Sequence, residues 1–507
     1  MVVSRTAAGR TGFAQGRTRV IRRLWKFNGG VHLPGHKDES TRLPVTRAHL
    51  PKRLILPLHQ HIGEAAEAVV KVGDHVLKGQ MIAHAKGFVS APLHAPSSGT
   101  VVEIGDLPVP HPSGLNAPCI VMETDGEDRW TELRPHCDYD QLDPSHLRNI
   151  IREAGIVGLG GAGFPSFIKL NPGPGKTVDT LILNGVECEP YITCDDMLMR
   201  ERGQEIICGL RIMRHALHAR ACVIAMEDNK PEAYAALLAA TRGTDIEVIQ
   251  VPTIYPAGGE KQLIKVLTGM EVPSNGLPIH IGIVCHNVGT AVAVYRAIEH
   301  GEPLISRYMT ITGGNIVQPR NLEVLIGTPV KDLLDECGWH PDTLERLVMG
   351  GPMMGFSLPG DDVPVIKTTN CILAMTRDDA PAHRPVMPCI RCGACADACP
   401  VNLLPQQLYW HAHAKDLDKI QEYDLFDCIE CGCCSYVCPS NIPLVHYYRY
   451  AKTEIWAAER EKQKAEQARI RHEFRLQRID REKAERAAKH AQKKEELTSI
   501  TTKNNEE

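Results

Sequence analysis

Two short runs near the C-terminal end hold the residues whose type and spacing point most directly to chemistry. They read Cys389-x2-Cys392-x2-Cys395-x3-Cys399-Pro400 and Cys428-x2-Cys431-x2-Cys434-x3-Cys438-Pro439. Thiolates at this spacing sit on short loops that turn sulfurs and backbone N–H groups inward around a cubane, and the fourth cysteine of each run reaches the neighbouring cluster. Cys389, Cys392, Cys395 and Cys438 are therefore assigned to one 4Fe-4S cluster, and Cys428, Cys431, Cys434 and Cys399 to a second. Structural zinc, the competing reading, uses paired knuckles of four ligands and not two identical four-cysteine runs each closed by proline. Cys433 lies off the spacing and reads as a small packed residue. Paired clusters move single electrons without making bonds, so the chain needs an electron source or sink elsewhere.

Residues 158–165 read Gly-Leu-Gly-Gly-Ala-Gly-Phe-Pro. The formal G-x-G-x-x-G follows a helical segment and precedes Phe-Pro, unlike the strand-to-helix context of a dinucleotide fingerprint. What remains is a loop of Gly158, Gly160, Gly161 and Gly163 whose backbone can approach a phosphate, with Lys169 as counter-charge; a tight packing turn is the alternative. Three further corners follow apolar runs: Asn184-Gly-Val-Glu187-Cys-Glu189-Pro190, then Gly258-Gly259-Glu260-Lys261, then His286-Asn287-Val-Gly289-Thr290. Glycine- or amide-bearing corners on one sheet form a nucleotide-sized rim.

The elements that must carry these corners are legible as an α/β layer. Apolar runs at 180–183, 222–225, 246–251 and 279–285 alternate with helical segments at 197–217, 231–241, 260–268 and 290–299, the pattern of a mostly parallel sheet. Ligands then bind at the carboxyl ends of its strands. Asp143-Pro-Ser145 starts a capped helix that stops at Gly155. Upstream, 70–83 and 95–104 read as strand-turn units of a small barrel-like sandwich. It looks like the fold of biotinyl and lipoyl carriers, although Lys86 lacks their lysine context and reads as a solvated turn residue. Downstream, 308–334 combines a strand, turns and a short helix. From 451 onward Ala, Glu, Lys, Arg and Gln favour a long solvated helix, without the apolar seam of a coiled coil.

Composition sets limits on all of this. The 507 residues suggest several domains, and 43% hydrophobic with 23% charged residues excludes wholesale disorder and a polytopic membrane protein. No apolar run approaches the roughly 18 to 20 residues of a membrane helix. A net charge of −4 gives no overall basic field for nucleic acid. The 18 cysteines, half of them clustered, point to metal binding in a reducing compartment. Residues 1–24 hold six arginines and no acid; they lack the apolar region of a secretory signal and read as a basic disordered arm.

The order of these motifs resembles the C subunit of the Rnf (Rsx) electron transport complex over roughly residues 27–450. The middle is similar to the NADH-oxidising flavoprotein subunit of respiratory complex I. The resemblance implies a multidomain α/β chain: a basic arm at 1–26, a carrier-like barrel-sandwich at 27–135, a Rossmann-like FMN and NADH domain at 136–302, a β-grasp-like (SLBB) domain at 303–360, a helical ferredoxin-type domain with two 4Fe-4S clusters at 361–450, and a charged helical tail at 451–507. By the same resemblance Gly158, Gly160, Gly161, Gly163 and Lys169 cradle a noncovalent FMN, with Asn184, Asn287 and Thr290 along the flavin. Glu187, Glu189 and Glu260 lie toward the nicotinamide of NADH. Three positions differ from the complex I pattern: Tyr191 and Gly259 replace a Gly and a Glu, and His286 replaces an Asn.

The implied role is a converter: NADH gives a hydride, clusters accept single electrons, and a flavin does both. The implied partners are membrane-embedded, iron–sulfur and flavin subunits of one ion-translocating complex, and ferredoxin, with this chain peripheral on the cytoplasmic face of the bacterial inner membrane. A flavin-dependent cobalamin reductase and a non-catalytic iron–sulfur carrier subunit are the alternatives.

Overall fold

The apolar runs read as parallel strands do form one sheet. The computed structural model describes residues 23–173, 175–380 and 385–503. In it Thr180–Gly185, Ala221–Glu227, Glu247–Val251 and Ile283–Asn287 pair in parallel, in the order third, second, first, fourth. Alternate side chains enter opposite cores: Leu181, Leu183, Ile224 and Met226 on one face, Ile182, Val223, Ala225 and Ile283 on the other. A sheet covered on both faces requires such continuous apolar strands. Helices Gly203–Leu217 and Val288–Tyr295 cover the first face with Ile206, Leu210, Val288 and Ala291; Glu260–Thr268 covers the second with Leu263, Ile264 and Leu267. The chain order reverses between Thr180–Gly185 and Ile283–Asn287, and it is beyond such a reversal that open α/β sheets bind ligands.

Local signals hold with two adjustments. Helix Pro144–Glu153 begins as expected, the Asp143 carboxylate accepting from the Ser145 N–H at 2.7 Å. The run expected as a strand over 279–285 is shorter, because Pro278–Ile281 closes a 3-10 turn before Ile283–Asn287 begins. The helix expected over 197–217 divides at Arg202, whose φ of −122° leaves the helical region, into Cys194–Glu201 and Gly203–Leu217.

The strand-turn units upstream belong to two small antiparallel sheets. One contains Arg53–Pro57, Asn116–Thr124, Gly99–Pro108 and His75–Val76; the other contains Glu67–Ala68, Met81–His84 and Leu93–His94. Leu54, Val76, Ile82, Val101 and Ile120 lie buried in their shared core. Lys86 follows Met81–His84 with its side chain 65% exposed and Glu67 at 3.8 Å, a solvated turn lysine.

A six-stranded sheet runs in the order Thr46–Arg47, Arg320–Leu325, Ser306–Thr312, Cys371–Met375, Arg346–Met349, Phe356–Ser357. Helix Val330–Cys337 packs Val330, Leu333 and Leu334 against Met309, Ile311 and Leu322. Two of its strands come from outside 303–360. Cys371–Met375 pairs with both Ser306–Thr312 and Arg346–Met349, and its side chains are buried throughout. This segment therefore belongs to the sheet and not to the cluster-bearing region expected from 361, and the first compact unit runs to residue 383. The arm expected at 1–26 lies outside the described residues up to residue 22.

The second unit, 384–507, carries the cysteine runs. Its core joins Leu403, Leu408, Ile420, Leu425, Leu444, Tyr448 and Ile455. The charged helix spans Leu444–Lys503, starting seven residues before the expected 451 because Leu444, Val445, Tyr448 and Ala451 pack into that core. Beyond Ile455 its described side chains are almost all exposed and tied by pairs such as Arg469 to Glu466 and Glu473, both at 2.6 Å. No helix among the described residues is long and apolar enough to cross a membrane.

Candidate functional site

Asn184 and Asn287 end the two strands that flank the order reversal, and they pair in register. Their amides are spent on shaping the strand ends. Asn184 donates to Gly258 O at 2.8 Å and accepts from Val186 N at 3.1 Å. Asn287 donates to Asp195 Oδ2 at 2.6 Å and caps helix Val288–Tyr295 through Gly289 N at 2.8 Å. The glycine loop lies over this pair: Leu159 N donates to Thr290 Oγ1 at 3.0 Å, and a Cβ on Gly160 would sit 3.3 Å from Asn287 Cβ. Gly161, at φ 108°, faces open space, whereas Gly163 is pressed against Thr368 and His61. Outside the turn that the loop itself forms over 159–162, the N–H groups of Gly160, Gly161 and Ala162 donate to no backbone acceptor among the described residues. Free backbone donors around an open space form an anion cradle.

Lys169 reaches this rim, donating to Cys285 O at 2.9 Å and pairing with Glu260 at 2.6 Å. Glu260 opens helix Glu260–Thr268, where a carboxylate is favoured by the helix dipole. His286, beside them, is kept neutral by burial and by Lys169, its pKa pushed down to about 3, and its Nε2 has no hydrogen-bond partner. A free-amide loop, a cation and an open face fit a phosphate-bearing planar cofactor.

The acids after Thr180–Gly185 are held by a residue that the sequence did not single out. Lys37 donates to the carbonyls of Glu187, Glu189 and Ile192 at 2.8, 2.9 and 2.7 Å. This clamp fixes a loop in which Glu187 and Tyr191 take φ values of 50° and 68°. Tyr191 stands where the complex I pattern has glycine, and it keeps that left-handed backbone while its ring stacks on His36 at 4.4 Å. Glu187 accepts from Asp195 N at 2.6 Å and Asp196 N at 3.2 Å. Burial and the neighbouring Asp195 push its pKa up to about 8 against the pull of Lys37 and Lys230. Glu189 accepts from Met353 N and Met354 N at 3.2 and 2.7 Å, with burial raising it to about 7. Lys37→Met leaves three loop carbonyls without a donor and is expected to cost on the order of 3 kcal/mol. Chemical denaturation of the variant checks this.

In the second unit the two runs interleave. The Cys392 and Cys438 thiols are the neighbouring charges that act on Cys395, while Cys399 is a neighbour of Cys431 and Cys434. Each set mixes cysteines from both runs. Cys399, Cys428, Cys431 and Cys434 line one small cavity with Leu408 and Tyr448. Glu430 N points at Cys428 Sγ and Leu403 N at Cys399 Sγ, both at 3.4 Å. Burial lifts the Cys428 thiol to about 11. Cys433 is fully buried.

Four family models match the chain in this same order. They are a RnfC barrel sandwich hybrid domain over residues 25–127, a Nuo51 FMN-binding domain over 151–296, an SLBB domain over 308–357 and a 4Fe-4S dicluster domain over 388–442. The C subunit of the ion-translocating oxidoreductase complex of Serratia proteamaculans is 50% identical, over 94% of this chain and 68% of its own. The counterpart in Yersinia pestis bv. Antiqua is 49% identical, over 94% and 77%. The chain belongs to this RnfC family. The Pseudomonas aeruginosa member is 53% identical over 92% of this chain, which spans only 60% of that relative's length. FMN and two 4Fe-4S clusters are the cofactors of the matched domains. A solved NAD+-reducing [NiFe]-hydrogenase in its H2-reduced state aligns with 62% of this chain and 63% of its own, at 19% identity and a TM-score of 0.45.

Proposed function

We propose that this RnfC-family chain exchanges electrons between NADH and one-electron carriers, with FMN at the strand-order reversal and two 4Fe-4S clusters in the second unit. The observation that carries the reading is the glycine loop against Asn287 and Thr290, with Lys169 held on the carbonyl of Cys285 in the strand that ends at Asn287, in a chain that also holds eight cysteines in two interleaved sets. On the finer fold labels, we read the four-stranded parallel sheet as Rossmann-like, the paired small sheets as carrier-like and the six-stranded sheet as β-grasp-like.

In this reading Lys169 and the N–H groups of the loop through Gly160, Gly161 and Gly163 hold the flavin phosphate, while Gly158, whose N–H donates to Phe164 O at 2.8 Å, closes the base of the loop. Asn184, Asn287 and Thr290 act by fixing the strand ends and the loop along the flavin. Glu187, Glu189 and Glu260 border the side toward the nicotinamide nucleotide. Cys389, Cys392, Cys395 and Cys438 hold one cluster; Cys428, Cys431, Cys434 and Cys399 hold the other. When bound, FMN supplies the exchange between a hydride and two single electrons. The chain's own residues orient the nucleotide and keep the loop closed around it. The partners are membrane-embedded, iron–sulfur and flavin subunits of an ion-translocating complex, and ferredoxin, with the chain peripheral on the cytoplasmic face of the bacterial inner membrane.

Glu187 gives the site a pH dependence. With its pKa at about 8 it is protonated at neutral pH and offers no negative charge to a diphosphate-bearing nucleotide; as pH rises through 8 it ionises and repels one. The same raised pKa means that its stabilising contribution is present at low pH and is lost as pH rises through 8. NADH affinity is therefore expected to weaken by about tenfold between pH 7 and 9, and Glu187→Gln to flatten the profile; each tenfold is about 1.4 kcal/mol. Nucleotide titrations at a series of pH values check both. The function itself is tested by mixing the flavin-loaded chain with NADH without oxygen. The flavin absorbance is expected to bleach, and a flavin that dithionite reduces but NADH does not would contradict the reading.

A further inference from the structure

The two cysteine loops repeat one backbone. Arg391 and Glu430 have φ values of 55° and 56°, Gly393 and Gly432 of 84° and 82°, Asn402 and Asn441 of 56° and 51°. Short helices Ala394–Asp397 and Cys433–Tyr436 follow the glycines, and longer ones then start at Pro405 and Leu444. On this repeat Arg391 matches Glu430, Trp410 matches Arg449 and His413 matches Lys452. The charges do not repeat.

In the second half Lys452 is 8% exposed, donating to the Cys428 carbonyl at 2.7 Å and to Glu430 Oε1 at 2.9 Å. Arg449 binds the other oxygen of Glu430 at 2.9 Å, and Glu430 N–H points at Cys428 Sγ. The long helix thus lays a buried ammonium against the backbone of a cluster ligand and locks the amide that faces its sulfur. In the first half Arg391 and Cys392 are exposed. His413 packs on the rings of Tyr409 and Tyr447, and neither His413 nor Arg391 has an ion pair among the described residues.

Reduction adds one negative charge to a cluster. A cation nearby favours the reduced form, and more so where burial keeps solvent screening weak. Net local charge and hydrogen bonds to sulfur are the levers that set cluster potentials. Burial of Cys399, Cys431 and Cys434 opposes reduction, but each half keeps one uncompensated cation, and the two differ in screening: Lys452 is 8% exposed, whereas Arg391 of the first half lies exposed to solvent.

We propose that Lys452, locked in place by Glu430 and Arg449, sets the cluster of Cys428, Cys431, Cys434 and Cys399 at the higher potential, so that the first electron to enter the pair rests there. Lys452 is a positioning residue in this account, which depends on the two-cluster reading above.

The test is an EPR-monitored redox titration of the full chain after anaerobic cluster assembly, with iron and sulfide counted first and a Cys431→Ser sample marking the second cluster's signal. Lys452→Gln is expected to lower the reduced-to-oxidised ratio of that cluster at least tenfold at fixed potential, about 59 mV for one electron, and to leave the first cluster unchanged. Lys452→Arg is expected to restore most of the ratio, and Glu430→Gln to move it the opposite way. Assembled clusters whose ratios stay within threefold of wild type in both Lys452→Gln and Glu430→Gln would overturn the proposal. Loss of the second cluster from both variants would overturn it too, making the clamp a matter of assembly. A wild-type chain without two clusters would overturn the two-cluster reading, and the iron count separates that case.

Discussion

A Cys399→Ser variant is expected to lose the cluster built on Cys428, Cys431 and Cys434 and to keep the cluster of its own run. The interleaving dictates this crossing: Cys399 faces Cys431 and Cys434, while Cys438 faces Cys395. Iron should fall from about eight to about four per chain in either Cys399→Ser or Cys438→Ser, since each cubane holds four. The remaining EPR signal should match that of Cys431→Ser in the first case and of Cys392→Ser in the second. A Cys399→Ser spectrum identical to that of Cys392→Ser would show that each run keeps its own cluster.

Gly161→Val is expected to weaken flavin retention about a hundredfold while lowering the melting temperature less than Gly163→Val does. Gly161 sits at φ 108° facing open space, so a side chain there meets no protein atom within 4 Å and instead occupies the cradle. The left-handed backbone disfavours a β-branched residue and tilts the adjacent free amides away. Losing two or three charge-assisted hydrogen bonds to a phosphate is worth roughly 3 kcal/mol or more, about a hundredfold in affinity. Gly163→Val separates binding from folding: its Cβ would fall 2.5 Å from Thr368 Cγ2, so it should lower the melting temperature as well. Flavin released on ultrafiltration, read by fluorescence beside a thermal melt, distinguishes the two.

The parts of this architecture that were legible beforehand are those with a local signature. Proline-closed cysteine runs, continuous apolar strands and the Asp143 cap each state their role within a few residues. What stayed hidden depends on distant partners. The run Cys-Ile-Leu-Ala-Met at 371–375 is plainly a strand by composition, yet periodicity does not say which sheet it joins, and it joins one formed mainly by residues 306–357. Lys37 holds carbonyls some 150 residues away, beyond reach of any local pattern. Lys452 lies in a segment whose composition reads as a solvated helix, and only packing against Cys428 and Glu430 shows that its first turns are interior. Among the residues proposed to lie along the flavin, the sequence does not tell that Asn184, Asn287 and Thr290 spend their side chains on Gly258, Asp195 and Leu159.

The most direct measurement of the central claim is an anaerobic titration of the cofactor-loaded chain with substoichiometric NADH, followed in one sample by flavin absorbance and by EPR. Each NADH is expected to deliver two electrons, the flavin band to bleach, and two magnetically interacting reduced clusters to appear. Two clusters that dithionite reduces while NADH leaves both them and the flavin oxidised would contradict that claim.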